Sequence, residues 1–302
     1  MNLFNYNYWG SPVSLIHTSA NNTPSNIESL MMDGTTTANP LALQWTNGYN
    51  ANSATSGKTL SRRWIYAYEN YVANTYAMWR FLGQNGTFNA GLGFTMKGSG
   101  AGGSYQNYVF MGKPNNGDIS SPIALWSNAL IGNPYPSAIS ANEFIRDNIP
   151  LLDPDGSPTN AYPGTSGSIT GTLYYWVHFD TNNTHILRDY QGGYATYTQI
   201  GGVPPVTGDT NTSNDGYSTS GKGSSGLRPG DHIPVAQGFF VSSAYENKIS
   251  SNIKFLNKQR AFVTEVSTAN SQFLKSSGPK NIKNNDSPTF NEEEIKRIYL
   301  LY

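Results

Sequence analysis

Short stretches in which apolar and polar residues alternate, separated by turn residues, recur along most of the chain. Such alternation is typical of strands that bury one face. It predicts strands in these stretches: Arg62–Tyr71, Tyr76–Leu82, Gly91–Gly100, Tyr105–Pro114, Pro122–Gly132, Gly171–Asp180, His232–Ser243 and Asn252–Val263. The Pro122–Gly132 stretch predicts two short strands or one bent strand. Strands spaced by turns are typical of sandwiches and barrels, and we expect an all-β fold, a β-sandwich of jelly-roll or immunoglobulin-like type.

Helical periodicity is scarce, and one short helix is predicted, within Ser137–Ile149. Ser140 is placed to cap its first turn, with Glu143 three residues later in capping-box register. Phe144 would face the core, and Pro150 would end the helix.

Three segments rich in polar, glycine and proline residues predict long loops: Thr18–Gly57, Asp153–Ile169 and Gly201–Gly230. The last has almost no apolar residues that could pack, so we expect it to be exposed and mobile. The candidate binding surfaces would then be these polar loops.

The domain organisation follows from the same pattern. We predict a β-sandwich surface module, or two packed sub-modules, over residues 1–275, and a polar linker over 276–290. Residues 291–302 would be the first strand of a truncated following domain. The N-terminal stretch lacks the basic and apolar segments of a signal peptide, so a secreted protein would require a longer parent chain.

Composition narrows the classes of partner. Charged residues make up 13% of the chain, with 19 Lys and Arg against 19 Asp and Glu, which does not suit binding to nucleic acid or anionic lipid. There is no cysteine, which excludes disulfides, thiol catalysis and cysteine-bound metal. No apolar run reaches the length of a membrane span.

Catalytic motifs are weak. His178, Asp180 and His185 would offer three metal ligands, but a strand position for His178 and a turn position for His185 are favoured. A glycoside hydrolase needs two positioned carboxylates. Acidic residues are sparse, and those within predicted ordered segments include Glu69 and Glu143, so we expect no enzyme, with a hydrolase as a minor alternative.

Asp153 and Asp155, in the stretch DPDGSPTN, resemble the opening of a calcium loop. The stretch lacks the later glutamate of an EF-hand, so an ordinary turn is favoured and calcium is a weak candidate cofactor. Thr210–Gly216 is a weaker candidate of the same kind. The glycine-rich Gly98–Gly103 lacks the lysine and the helix of a phosphate loop and predicts a hairpin loop.

Aromatic residues are abundant, with 6 Trp and 20 Tyr. They could form a platform that stacks on sugars, but aromatic residues on strands more often fill a core. In the Gly171–Asp180 stretch, alternation places Tyr175 on one face and Tyr174 and Trp176 on the other. Because both faces are apolar or aromatic, we expect this strand to be buried on both sides.

Several motifs in one order resemble a known group of proteins: YNYWGSPVS, GLGFTMKGSG, YVFMGKPNNGDI, LIGNPYPSAISANEFI, GTLYYWVHF, DYQGGYATYT, IPVAQGFFV and NSQFLK. Together they cover about Tyr6 to Lys275. They resemble the region before the C-terminal sorting domain in large Bacteroidetes surface proteins, which the type IX secretion system exports. The resemblance implies a β-sandwich-like, adhesin-like extracellular region of a multidomain protein, and it brings no catalytic residues.

The signature of this resemblance lies in two of the motifs, at Gly132, Asn133, Pro134, Tyr135, Pro136, Gln237 and Gly238. We expect Gly132 to adopt a backbone angle that other residues avoid. The two prolines would hold the segment as a rigid corner between a strand and the helix.

Two functions are left open. The first is a non-catalytic module of a secreted or cell-surface protein, serving adhesion or spacing beside other domains and contacting a surface protein. The second is a glycan-binding module, with or without calcium, attached to a polysaccharide-degrading enzyme.

Overall fold

The computed structural model describes residues 3–16, 19–52, 57–69, 78–100, 106–150, 167–178, 183–187, 190, 192–205, 227–244, 251–263, 271 and 273–274. The first strands are β1 (Tyr6–Trp9), β2 (Val13–Ser14), β3 (Met31–Asp33), β4 (Leu41–Ala42), β5 (Gln44–Thr46), β6 (Thr59–Ser61), β7 (Tyr66–Tyr68), β8 (Trp79–Phe81), β9 (Phe94–Lys97), β10 (Tyr108–Phe110) and β11 (Lys113–Pro114). The others are β12 (Ile119–Ile123), β13 (Asn128–Gly132), β14 (Ala138–Ser140), β15 (Leu173–His178), β16 (Gly192–Thr198), β17 (Gly201–Val203), β18 (His232–Ile233), β19 (Gly238–Ser242), β20 (Ser251–Phe255) and β21 (Arg260–Ala261).

The helices are few and short. In the described part of the chain they include α1 (Ile27–Leu30), α2 (Ala141–Asn148) and the 3-10 turns Arg62–Trp64 and Asn257–Gln259. The described residues therefore form an all-β protein, as predicted; the sandwich type stays a prediction. Neither α-helix in the described part of the chain has the length and apolar character needed to cross a membrane.

The largest sheet has five antiparallel strands in the order β13-β19-β15-β16-β17. Smaller sheets surround it: β10-β3-β4, β18-β14-β21, and the pairs β1-β9, β2-β11, β12-β20, β5-β6 and β7-β8. The β5-β6 pair is parallel. Single bridges from Trp9 to Gln237 and from Leu92 to Ile131 join the β1-β9 pair to the large sheet.

Two large hydrophobic clusters and one small one hold these sheets together. The first lies between the large sheet, α2 and the β12-β20 pair, around Phe144, Phe239 and Phe255. The second lies around β1, β9, β10 and α1, with Trp9 and Phe94 among its members. The small cluster joins β1 and β7 to the large sheet.

The predicted helix is confirmed as α2. The Ser140 hydroxyl accepts a hydrogen bond from the Glu143 amide at 3.3 Å, and Phe144 and Ile145 are buried. The residues just before the helix form β14, so the corner after Tyr135 leads first into a strand.

The prediction of one long loop over Thr18–Gly57 was wrong, because this segment contains α1, β3, β4 and β5. Asn26 caps α1 by accepting a hydrogen bond from the Ser29 amide at 2.9 Å. Ile27 and Leu30 are fully buried, and their burial outweighs the polar surroundings that suggested a loop.

The two other predicted loops are described only in part. The Asp153–Ile169 loop is described from residue 167 onward, and the Gly201–Gly230 loop begins with β17 and is described again from residue 227. Residues 275–302, which include the predicted linker and the predicted strand of a following domain, lie outside the described residues.

Candidate functional site

A cleft of about 850 Å³ opens beside the large sheet. Its described lining residues are Tyr6, Tyr8, Trp64, Tyr66, Tyr68, Trp79, Thr95, Asn128, Tyr174, Trp176, Leu187, Tyr190, Tyr194, Phe240 and Ser242. Eleven of these fifteen side chains are aromatic and none is charged. Binding pockets for small molecules commonly combine such an apolar lining with a few polar groups, in volumes of roughly 300–1,000 Å³.

The large sheet supplies one wall of the cleft. Successive residues of β15 point to opposite faces, so Tyr175 lies in the core while Tyr174 and Trp176 face the cleft. Trp176 pairs with Tyr194 of β16, and Tyr174 pairs with Phe240 of β19. The prediction that β15 is buried on both sides was therefore only partly right, since on its second face His178 is buried but Tyr174 and Trp176 are half-buried and line the cleft.

The β1-β9 and β7-β8 pairs supply a second wall, which contacts the first through Phe240. Alternation along β1 sends Trp9 into the second hydrophobic cluster and leaves Tyr6 and Tyr8 facing the cleft. Tyr68 and Trp79 are register partners on β7 and β8. This wall is thus made of short, mostly aromatic strands whose other faces are anchored in a core.

Within each wall the rings meet edge to face. Trp176 and Tyr194 lie 5.1 Å apart at 70°, and Tyr174 and Tyr194 lie 6.3 Å apart at 87°. Tyr68 and Trp79 lie 4.9 Å apart at 71°. Edge-to-face contacts are favourable for aromatic rings, and they fix the rings as a concave surface.

Trp176 is held in place by its own sheet. Its indole Nε1 donates a hydrogen bond to Nε2 of the buried His178 at 2.9 Å. A Cβ on Gly192, the register partner of His178, would lie 2.7 Å from the indole ring. Glycine at this position therefore leaves the space that the indole occupies.

Polar groups lie within the aromatic lining. The hydroxyls of Tyr8 and Tyr194 are 3.2 Å apart, and the Ser242 hydroxyl donates to Oδ1 of Asn128 at 2.7 Å. Burial, followed by the proximity of Tyr194, raises the pKa of Tyr8 well above its ordinary value. Burial also raises the pKa of Tyr194, so both hydroxyls stay neutral near pH 7 and remain able to donate and accept hydrogen bonds.

The acidic residues considered for a hydrolase lie elsewhere. The described lining residues include no Asp or Glu. Glu69 forms an ion pair with Arg80, with Oε2 2.5 Å from Nε. Glu143 pairs with Arg146 on the surface of α2.

The two histidines considered for a metal site, His178 and His185, contact tryptophan side chains instead. His178 accepts the hydrogen bond from Trp176, and the His185 ring stacks on Trp64 with centroids 4.9 Å apart at 16°. No group of three or more metal-binding side chains is found within the described part of the chain. Asp180 and both weak calcium candidates, Asp153 with Asp155 and Thr210–Gly216, lie outside the described residues.

The signature residues come together in a buried hydrogen-bond network at the end of β13. The Asn133 amide donates to the carbonyls of Ser137 at 2.8 Å, Pro234 at 3.0 Å and Ile233 at 3.2 Å. Its Oδ1 accepts from the Tyr135 amide at 3.0 Å. One side chain thereby joins the corner, the chain before β14 and the chain after β18.

Gln237 and the hydroxyl of Tyr135 extend this hydrogen-bond network. Gln237 Nε2 donates to the Gly238 carbonyl at 2.7 Å, and its Oε1 accepts from the Leu274 amide at 2.7 Å. Tyr135 is fully buried and donates its hydroxyl to the Gly117 carbonyl at 2.7 Å. These residues therefore connect segments that are far apart in the sequence.

The backbone carbonyl of Pro134, at the corner, also accepts a hydrogen bond. Asn115 Nδ2 donates to the carbonyl of Pro134 at 3.0 Å. Pro134 and Pro136 flank the buried Tyr135, and Pro136 leads into β14.

The role expected for Gly132 was wrong, because Gly132 does not have a positive φ. It pairs with Gly238 across β13 and β19, and both approach the backbone of β1. A Cβ on Gly132 would collide with Gly10, and a Cβ on Gly238 would lie 2.6 Å from the Trp9 amide nitrogen. The glycines are needed for a close crossing of strands.

Comparisons with known proteins give a family without a known function. A family model described as a domain of unknown function (DUF8693) matches residues 45–300. The chain matches no curated protein and no solved structure. The matched range includes most of the residues that line the cleft and all of the signature residues.

Proposed function

Since the chain belongs to the DUF8693 family, whose function is unknown, we propose a function from the cleft: the protein is a non-catalytic module that binds a glycan there. The observation that carries the proposal is a cleft whose fifteen described lining residues include eleven aromatic side chains and no charged one.

The chemistry of sugars matches such a lining. A pyranose ring has apolar C–H faces and a rim of hydroxyls. The aromatic faces offer apolar surface with partial negative charge for the C–H groups. The hydroxyls of Tyr8 and Tyr194 and the amide of Asn128 offer polar contacts in the same cleft. A wholly apolar ligand could form no hydrogen bond with these groups, whereas sugar hydroxyls can both donate to them and accept from them.

The setting of the module follows the sequence resemblance. We propose that it acts in a secreted or cell-surface protein, where glycan binding would provide adhesion beside other domains of the same chain. The near absence of net charge supports a neutral glycan or a surface protein as the partner, and does not support nucleic acid.

Calorimetric titration of the protein with cellohexaose, xylohexaose, mannohexaose and chitohexaose tests the proposal. We expect at least one of these oligosaccharides to bind and Trp176→Ala to raise its Kd at least tenfold, about 1.4 kcal/mol. Tyr194 is 41% exposed, so Tyr194→Ala should weaken binding with a smaller loss of thermal stability.

The matched control is Trp126→Ala, because Trp126 is 58% exposed and does not belong to the cleft lining. Its Kd should equal that of the wild type. Each titration is repeated with calcium chloride, which tests the weak calcium candidates Asp153 and Asp155. If no oligosaccharide bound up to millimolar concentration with or without calcium, the proposal would fail and spacing would be the remaining role.

A further inference from the structure

Lys97 lies against three rings of the cleft lining, in an environment that lysines rarely have. Register pairs it with Tyr6 across β1 and β9, and alternation along β9 places it on the same side as Thr95, which lines the cleft. Only 3% of its surface is exposed. Lysine is almost never this buried without a partner for its charge.

The partners of the ammonium are mainly aromatic rings. Lys97 Nζ lies 3.9 Å from the ring centroid of Trp64, 4.4 Å from that of Tyr6 and 4.9 Å from that of Tyr190. It also contacts the Tyr190 hydroxyl and lies 3.1 Å from Nδ1 of His185. None of the ion pairs found among the described residues involves Lys97.

The same three rings line the cleft. A cation over a ring face is attracted by the ring quadrupole, and the attraction grows when water is excluded. One ammonium thus draws together three rings that come from different parts of the chain: β1, the 3-10 turn before β7, and the segment before β16. Burial lowers the pKa of Lys97 to about 7, while the ring faces favour its charged form and oppose that shift.

Other contacts also hold the rings of Trp64 and Tyr190: His185 stacks on Trp64 with centroids 4.9 Å apart, and His178 meets Tyr190 edge to face at 5.5 Å. Trp64 donates its Nε1 outward, to the Tyr49 carbonyl at 2.8 Å. Tyr190 donates its hydroxyl to the Phe4 carbonyl at 2.7 Å. These hydrogen bonds hold the edges of the rings, whereas Lys97 and, for Trp64, His185 lie against ring faces.

We propose that Lys97 is a positioning residue of the cleft: its ammonium holds the rings of Tyr6, Trp64 and Tyr190 in the geometry that receives a glycan. This inference rests on the proposed function for the ligand, but the ordering of the rings is independent of any ligand. Lys97 itself is too buried to contact the glycan and acts through the rings.

Chemical rescue tests the proposal. Lys97→Ala leaves a space that matches n-propylammonium, which supplies the three missing methylenes and the ammonium. We expect this variant to lose near-ultraviolet circular dichroism intensity, which reports fixed aromatic rings, and millimolar n-propylammonium chloride to restore it. Sodium chloride and 1-propanol at equal concentrations should restore nothing. Lys97→Met fills the same space without charge and should neither keep the signal nor respond to n-propylammonium.

The matched control is Lys113→Ala, since Lys113 donates to the backbone carbonyl of Ser19 at 3.0 Å on another strand. It should keep the wild-type spectrum. The oligosaccharide that binds best among cellohexaose, xylohexaose, mannohexaose and chitohexaose should bind Lys97→Ala at least tenfold more weakly, and n-propylammonium should restore its affinity.

The outcomes separate the two proposals. An unchanged near-ultraviolet spectrum in Lys97→Ala, or equal rescue by 1-propanol, would overturn the role of the ammonium whether or not a glycan binds. If Lys97→Ala loses the spectrum and n-propylammonium alone restores it, the ordering of the rings is supported even where all four oligosaccharides fail to bind. If all four oligosaccharides fail to bind, the glycan proposal is overturned, and so is the role of Lys97 in glycan binding. If Lys97→Ala loses the near-ultraviolet signal and regains it with n-propylammonium, but its oligosaccharide affinity is unchanged, only the role of Lys97 in glycan binding is overturned.

Discussion

Asn133 should be a highly sensitive polar residue of the fold. Its side chain is fully buried and makes the four hydrogen bonds described above, with donor–acceptor distances between 2.8 and 3.2 Å. Asn133→Ala removes all four and leaves the Tyr135 amide and three carbonyls without this partner. We therefore expect substantial destabilisation without any change to the cleft.

The magnitude follows from hydrogen-bond energetics. Each bond contributes a net ~1 kcal/mol, and a buried group left unsatisfied costs ~1–3 kcal/mol. Carbonyls keep a second lone pair and the structure relaxes in part, so we expect a loss of ~3–5 kcal/mol. Against a typical total of about 5–15 kcal/mol, such a loss would lower the unfolding midpoint markedly.

Urea unfolding followed by circular dichroism measures this loss. The control is Asn47→Ala, because Asn47 is exposed, and its free energy of unfolding should change by less than ~0.5 kcal/mol. Equal midpoints for Asn133→Ala and Asn47→Ala, at equal slopes, would refute the reasoning. Binding of an oligosaccharide should be unaltered wherever the variant is folded.

Asn133→Asp sharpens the test, because it keeps the shape and replaces the donor with an oxygen that faces carbonyls. The folded state should raise the pKa of this carboxyl above its ordinary value of about 3.9. The folded protein would then bind more protons than the unfolded one above pH 4, so the deficit relative to the wild type should grow as pH rises from 4 to 8.

Three further predictions concern the signature and the buried lysine. Gly132→Ala should cost ~3 kcal/mol or more, because its Cβ meets the backbone of β1; in thermal melts Gly48→Ala, which meets only ordinary contacts, is the control. Pro134→Ala or Pro136→Ala should lower the melting temperature by freeing the unfolded chain, ~0.4–1 kcal/mol, and abolished glycan binding with an unchanged melting temperature would contradict this. For Lys97, burial lowers the folded pKa below the unfolded value of about 10.5, so the folded state binds fewer protons as pH approaches that value. Urea unfolding should therefore show the wild type gaining stability relative to Lys97→Met as pH rises from 7 to 10.5, and parallel curves would contradict this.

The local parts of the fold were predictable because their signals are local. Ser140 and Glu143 lie three residues apart, and the cap that they predict depends on nothing distant. Alternation likewise predicted β15 and the division of its residues between two faces. The sequence could not show what covers each face, so Tyr174 and Trp176 were assigned to a core.

Other features escaped prediction because they depend on segments far apart in the chain. Ile27 and Leu30 sit among polar residues, and only packing against β10 and β9 gives them a core. Gly132 looked like a turn glycine, whereas the constraint comes from Gly10, more than a hundred residues earlier. The aromatic density of the strands was the one available signal for the cleft, and it did not reveal that their rings converge.

The angles between the rings also bear on which glycan the cleft would hold. A platform for a flat polysaccharide surface needs coplanar, exposed rings. Here Trp176 and Tyr194 meet at 70°, and Tyr68 and Trp79 meet at 71° on the other wall. A rigid flat surface could not lie against both rings of such a pair, whereas a single chain could enter the cleft. If a glycan binds as proposed, soluble single chains should therefore bind more tightly than the same polysaccharide in crystalline form.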